Sequence, residues 1–330
     1  MKLFLRLLAF LVLLAVAAGA WIFQRLNLPY QGFSEPVFVE FAHGTSTRSI
    51  ASVLADKGVI QDRWLLLAAR GLRRGANLQA GEYRFDKPAS PIQIVRRLIK
   101  GDIYYMELLV PEGFNMFDIA EAVGKLGTMK AATFLAAARD PSMIRDIDPK
   151  APSLEGYLFP NKYRIYRHTT AAQICRMMTS EFRAQWKGLG AGAGAHDAVT
   201  LASMVEREAR RPDERPLVAS VFTNRLRIGM KLDCDPTTVY AALLENRYRG
   251  TIYKSDLASI SLWNTYQHTG LPPGPIANPG LSSIRAALEP AESHYLYFVA
   301  KADGSGGHNF SESLVNHYAA VQSYQKALKR

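Results

Sequence analysis

The distribution of apolar residues changes character along the chain, and each change predicts a different kind of element. Leu7 to Phe23 carries no charge, with Lys2 and Arg6 before it and Gln24 and Arg25 after it. At about 1.5 Å per residue, such a run lies at the short end of what spans a bilayer as a helix. After a polar stretch holding Pro29 and Pro36, Val37-Phe-Val-Glu-Phe41 alternates as a strand does. Ile50 to Leu54 and Trp64 to Leu72 have helical spacing, Gly81 to Phe85 predicts a second strand, and Ile92 to Ile99 a further helix ended at Gly101. The rhythm then recurs: strand at Met106 to Val110, turn at Glu112-Gly113, helix at Ile119 to Val123. In both copies an isoleucine stands six residues after the glycine, with Ser46 or Asn115 placed as helix N-cap. Thr128 to Pro149 reads as a helix and loop, and the Gly/Ala tract from Gly188 to Gly194 as a flexible surface connection.

The most informative pattern is Thr200-Leu-Ala-Ser-Met-Val-Glu-Arg-Glu-Ala209. At roughly 100° per residue, Leu201, Met204, Val205 and Glu208 fall on one helical stripe. A carboxylate on an apolar face has its charged form disfavoured and its pKa raised, which suits a general acid near neutral pH. Glu206 lies beside the stripe, with Arg207 and Arg210 on the opposite, solvent-facing side. Periodicity alone leaves open a helix whose Glu208 has rotated out to water.

Composition narrows the classes. A 48% hydrophobic chain of 330 residues can bury real cores and suits two or more domains. Its net charge of +11 suits an anionic partner. The basic residues are dispersed and not interleaved with aromatics, which argues against nucleic acid. Cys175 and Cys234 provide neither a disulfide framework nor metal-ligand spacing and read as two free thiols.

The N-terminal run admits two readings. Ala18-Gly19-Ala20 is laid out like a signal-peptide cleavage site. Trp21, Ile22 and Phe23 continue the apolar run past it and favour an uncleaved anchor, with Trp at a membrane interface. In either case the first basic residues stay cytoplasmic and the remainder is exported. The expected organisation is an anchor at 1–25, a stalk at 26–36, a βααβ module at 37–103, and a larger domain at 104–330 that opens with the second strand-Gly-helix repeat at 104–127. The spacing of the small module resembles a LysM-type unit, the kind of fold that binds amino sugars of glycan chains; a packing or spacer domain is the alternative.

Several clusters follow residue 150. Ser153-Leu-Glu-Gly-Tyr-Leu-Phe-Pro160 suggests a turn carrying Glu155 into a groove. Val218, Val221, Phe222 and Arg225 line one side of a helix, where Arg225 is expected to pair with a carboxylate. In Leu232-Asp-Cys-Asp-Pro-Thr237 no cation-ligand spacing accompanies the acids, so Asp235 reads as an N-cap. Asn264-Thr-Tyr266 leads to Gly270-Leu-Pro-Pro-Gly-Pro-Ile-Ala-Asn-Pro-Gly280, a stiff loop suited to presenting groups at a site. Tyr295 to Val299 alternates as a core strand, and His308 is a lone histidine in the turn after it.

Together, Leu201 to Ala209, Ser220 to Met230, Asp235-Pro-Thr237, Asn264-Thr-Tyr266, Gly270 to Gly274, Asn278-Pro-Gly280 and Tyr297-Phe-Val299 resemble, in order and spacing, the endolytic murein transglycosylase family, also called YceG-like. The resemblance implies an α+β chain: a single N-terminal membrane-spanning helix, the small LysM-like module and a mixed α/β catalytic domain outside the inner membrane. It implies cleavage of peptidoglycan glycan strands at the β-1,4 bond between N-acetylmuramic acid and N-acetylglucosamine, leaving a 1,6-anhydro end, and a role in terminating nascent strands. Glu208 matches the family's catalytic acid, which leaves Glu206 a supporting or surface role. Glu155, Asn224, Asp235, Asn264 and Tyr266 are the expected substrate-binding residues. No metal or cofactor is implied, and penicillin-binding proteins are the expected partners. Two departures stand out: Asn161-Lys162-Tyr163 replaces the usual Asp-Thr-Tyr, and Cys234 stands where a small hydroxyl residue is usual. Two other functions fit the same residues, a water-using muramidase with Asp233 or Asp235 as second carboxylate, and a non-catalytic glycan-binding scaffold.

Overall fold

The N-terminal run forms one continuous helix, α1 (Lys2–Asn27), apolar and long enough to cross a membrane. The computed structural model describes residues 1–73, 75–190, 192 and 194–328; Ala191 and Ala193 of the Gly/Ala tract lie outside them. The chain divides into two units, Met1–Tyr105 and Met106–Arg330.

In the first unit, β1 (Val37–Phe41), α2 (Thr47–Asp56), α3 (Arg63–Gly71) and β2 (Gly81–Phe85) follow in βααβ order, and α4 (Pro91–Lys100) completes it. The strands are antiparallel, with Val37 opposite Phe85 and Phe41 opposite Gly81. Alternation sends Val39, Phe41, Tyr83 and Phe85 inward, where they meet Ile50, Leu54, Leu66, Ile94 and Leu98. Ser46 caps α2 by accepting from the Ser49 N–H. The expected stalk is not a free tether. Leu26 at the end of α1 is 3% exposed and belongs to this core. Tyr30 and Ala89 exchange backbone hydrogen bonds, the Gly32 N–H donates to the Gly58 carbonyl at 2.8 Å, and Phe33 packs on the core. Prolines in a polar stretch suggested a linker, but the partners that pin it lie up to about sixty residues away, beyond any local pattern.

The second unit is mostly helical. Its elements are β3 (Met106–Val110), α5 (Met116–Lys125), α6 (Ala131–Ala138), β4 (Asn161–Ile165), α7 (Ala171–Gly188), α8 (Ala195–Glu208), α9 (Arg215–Arg227), α10 (Asp235–Leu244), α11 (Lys254–Leu257), α12 (Leu281–Leu288), β5 (Tyr297–Ala300), β6 (His308–Ser311) and α13 (Leu314–Leu328). β3 pairs antiparallel with β4, and β5 with β6. Asn115 forms a capping box at α5 with Asp118. β5 is half-buried rather than a core strand, because among the described residues it pairs only with β6, in a two-stranded sheet.

At the centre lies α8, buried on nearly every side. Val199, Thr200, Leu201, Ala202, Ser203, Met204 and Val205 are all buried, and α9, α10 and α12 pack around them. Such a helix holds its last residue, Glu208, on a rigid base.

Candidate active site

Glu208 ends α8, and Ala209 after it is extended and buried, so the Glu208 side chain leaves the helix at a fixed point. It enters a cavity of about 350 Å³, also lined by Arg225, Leu232, Asp233, Asp235, Tyr266, Tyr297, Phe298, Leu314, His317 and Tyr318. That volume is at the small end of ligand pockets, which run from about 300 to 1,000 Å³.

The opposite wall comes from residues 231–235, whose burial alternates: Leu232 and Cys234 are 1% exposed while Asp233 and Asp235 face outward. Asp233 adopts φ 48°, a left-handed conformation that Asp tolerates better than most residues. The neighbouring Asn264-Thr265-Tyr266 segment fixes this wall. Thr265 Oγ1 accepts from the Cys234 N–H at 3.0 Å and lies 2.9 Å from Thr237 Oγ1. The Tyr266 hydroxyl donates to Asp235 Oδ1 at 2.7 Å. Asp235 therefore does not cap α10; it is the first helical residue, the N-cap position is Cys234, and Tyr266 engages the carboxylate.

Inward-facing Cys234 donates its S–H to Glu208 Oε1 at 3.3 Å. Burial raises the Glu208 carboxyl to about 7, Asp235 adding in the same direction, against the opposing pull of the thiol and of Arg207. Burial and the facing Glu208 push the Cys234 thiol well above its usual range, so it remains a neutral donor. Both cysteines are free and buried.

Opposite lies an aromatic wall in which Tyr297 and Phe298 of the Tyr297-Phe-Val299 motif are joined by His317 and Tyr318, which sequence reasoning missed. Arg225 sits over the Tyr297 ring at 5.3 Å, and Tyr297 stacks on His317 with centroids 5.1 Å apart. Arg225 meets its expected carboxylate, Asp233, at 3.2 Å, and also donates to the carbonyls of Leu232 and Leu296. Burial and the Arg225 charge lower the His317 pKa. The sequence marked Tyr297 through the Tyr297-Phe-Val299 motif, but nothing in it paired that residue with His317, which is half-buried on α13.

Three expected substrate-binding residues lie elsewhere. Glu155 is fully buried: Oε2 accepts from the Met116 N–H at 2.8 Å and Oε1 from Asn278 Nδ2 at 2.7 Å. Burial raises it to about 8, against the opposing hydrogen bonds of the Met116 N–H and Tyr240. Asn224 donates to the Ser293 and Tyr295 carbonyls. Asn264 donates to the carbonyls of Asp256, Leu257 and Ser259. Their hydrogen-bonding capacity is used in holding loops, so none of the three lines the cavity. Glu206 is not a surface acid either, being bound by Arg215 at 2.9 Å and by the Gly280 N–H at 2.9 Å. The stiff loop before α12 points inward: from Pro275 to Gly280 every residue is buried, and the Ile276 N–H donates to Ser203 Oγ of α8 at 3.0 Å. His308 is structural, with Nδ1 at 2.7 Å from Glu214.

A larger cavity of about 720 Å³ beside Arg247, Tyr248 and Arg249 offers no comparable acid, since its Asp256 is paired with Arg247 and lies 3.6 Å from Arg249. The chemistry concentrates at Glu208.

The YceG-like family model matches residues 39–323, and the chain belongs to that family. Among its relatives, a Bacillus subtilis protein named endolytic murein transglycosylase is 31% identical, covering 94% of this chain and 91% of its own length. A Streptococcus pneumoniae protein of the same name is 29% identical, covering 88% of this chain and 60% of its own. The crystal structure of a YceG-like protein from Listeria monocytogenes superposes with TM-score 0.55 at 33% identity, covering 87% of this chain and 99% of that one.

Proposed function

We propose that this chain is an endolytic murein transglycosylase in which Glu208 serves first as general acid and then as general base. The observation that carries this reading is the single raised carboxyl at the cleft wall, protonated over part of the neutral range. Glu208 gives its proton to the glycosidic oxygen as the bond from C1 of N-acetylmuramic acid breaks. The C6 hydroxyl oxygen of the same sugar closes on C1, and its proton returns to the Glu208 carboxylate. No water is consumed, and the glutamate ends as it began.

Ordinary glycosidases need a second carboxylate to act on water or as nucleophile. Asp233 and Asp235 are engaged by Arg225 and Tyr266, which favours the one-acid route. The Tyr297 and His317 rings line the cleft, where aromatic side chains suit the apolar face of a sugar. Glu155, Asn224 and Asn264 act by positioning the loops around this cleft.

The βααβ module is read as a LysM-like glycan-binding unit; in support, a cavity of about 290 Å³ opens between the loops at 42–45 and 77–80, lined by His43, Thr45, Asn77 and Gln79. We read the chain as anchored in the cytoplasmic membrane through α1, with its N-terminus inside and everything after α1 outside, following the positive-inside tendency. Termination of nascent strands and association with penicillin-binding proteins rest on the family resemblance.

Product masses from digested murein test the reaction: lytic transfer leaves ends one water lighter than hydrolysis does. Ends carrying the added water would replace this reading with a hydrolase, and no new ends would replace it with a glycan-binding scaffold.

A further inference from the structure

The end of α1 and the outer face of α3 enclose a groove of about 530 Å³ that the glycan chemistry does not use. Trp21, Ile22 and Arg25 form one wall, and Trp64, Leu65 and Ala68 the other. Trp21 is 58% and Trp64 63% exposed, which is uncommon for two tryptophans facing one groove. An arginine lies over each ring: Arg25 over Trp21 at 5.4 Å and Arg63 over Trp64 at 5.2 Å. Arg25 also bonds Gln61 at 3.0 Å, and the lining acid, Asp62, is occupied in capping α3 through the Trp64 N–H at 2.7 Å.

The groove's depth along α1 indicates its occupant. The uncharged run ends at Phe23, so Trp21 to Arg25 is the turn where a spanning helix leaves hydrocarbon for headgroups, the level that tryptophan and arginine prefer. Leu26, buried in the module core, ties α3 to that level. Whatever covers the exposed apolar surface of α1 continues without a break over Ile22 and Trp21 and reaches Trp64.

We propose that this groove seats in the headgroup layer of the membrane that α1 crosses. It would take an anionic phospholipid, with the phosphate toward Arg25 and Arg63 and the glycerol and upper acyl chain against Trp21, Ile22 and Trp64. The module is then held flat on the bilayer by α3 and does not stand off it. This inference rests on α1 being a spanning helix.

The test uses the full chain in vesicles of phosphatidylcholine, with and without phosphatidylglycerol. Photoreactive benzoylphenylalanine replaces Trp64, or, as a control, Val53, which is exposed on α2. After flotation and illumination, phospholipid adducts are measured by mass spectrometry. The expected result is several-fold more adduct at 64 than at 53, increasing with phosphatidylglycerol, with that increase lost in an Arg25→Gln, Arg63→Gln background. Vesicle-bound chain with equal adduct at the two positions overturns the docking surface. Adduct at 64 that ignores phosphatidylglycerol overturns the headgroup assignment. A chain that does not float with the vesicles contradicts the spanning helix itself, a separate failure.

Discussion

At Cys234 the chain sets a weak donor, a thiol, against the carboxyl oxygen of Glu208, 3.3 Å away. A hydroxyl in the same place would stabilise the carboxylate more, and a methyl group not at all. Activity that needs the protonated acid falls as pH rises through about 7. Cys234→Ser should therefore move this fall to lower pH and Cys234→Ala to higher pH, each by roughly half a unit to one unit, the equivalent of a hydrogen bond near 1 kcal/mol. A pH profile of kcat/KM that is the same in all three proteins would show that the thiol has no such influence. The raised carboxyl also has a stability consequence. Between its ordinary 4.5 and about 7, the native chain keeps a proton that the unfolded chain has lost, so stability falls as pH climbs through that window. Glu208→Gln removes this loss, and denaturant unfolding should find it more stable than the parent above pH 7, by about 1–2 kcal/mol allowing for partial exposure, with little difference below pH 4.5. Glu208 stood out in the sequence because it falls on the apolar stripe of Leu201, Met204 and Val205, a pattern set by local helical spacing. The actual roles of Glu155 and Glu206 were not legible, because Asn278, Arg215 and Gly280 reach them from 123, 9 and 74 residues away.

Among the elements, the loop before α12 governs how α8 is held. Its density of Pro and Gly made stiffness legible, but not direction. Burial of Ile276 and Asn278 turns it inward, where Asn278 bonds Glu155, the Phe114 carbonyl and the Leu158 N–H. Gly156 makes the close approach possible: it has φ 87°, and a β-carbon there would lie 2.4 Å from Pro275. Gly156→Ala should cost about 3 kcal/mol or more, combining left-handed strain with overpacking, and an unchanged denaturant midpoint would contradict this contact. The strands and helices up to residue 125 were legible, since alternation, capping residues and terminating glycines act over a few positions. The aromatic wall was not, because Tyr297 and His317 meet only after β5, β6 and α13 fold together.

For the whole molecule, the junction of α1 with the first unit couples anchoring to folding. Leu26→Ala should destabilise that unit by about 2–3 kcal/mol, a core truncation in a residue the sequence assigned to a stalk, and removal of α1 through Leu26 should do at least as much. Protection of amides in α3 and α4 from hydrogen exchange measures it; undiminished protection would mean that the helix end is only a tether. Charge acts at the same scale, since a balance of +11 favours approach to an anionic wall polymer without selecting a bond. The choice of bond belongs to the cleft, and the most direct measurement is made there. Full-length chain and its Glu208→Gln variant are incubated with uncrosslinked murein strands below about pH 7, where Glu208 holds its proton, and new 1,6-anhydro ends are counted by mass spectrometry. The expected result is abundant anhydro ends from the parent and none above background from a variant that still unfolds cooperatively. Anhydro ends formed by Glu208→Gln at the parental rate would contradict the assignment of Glu208 as the acid and base of this reaction.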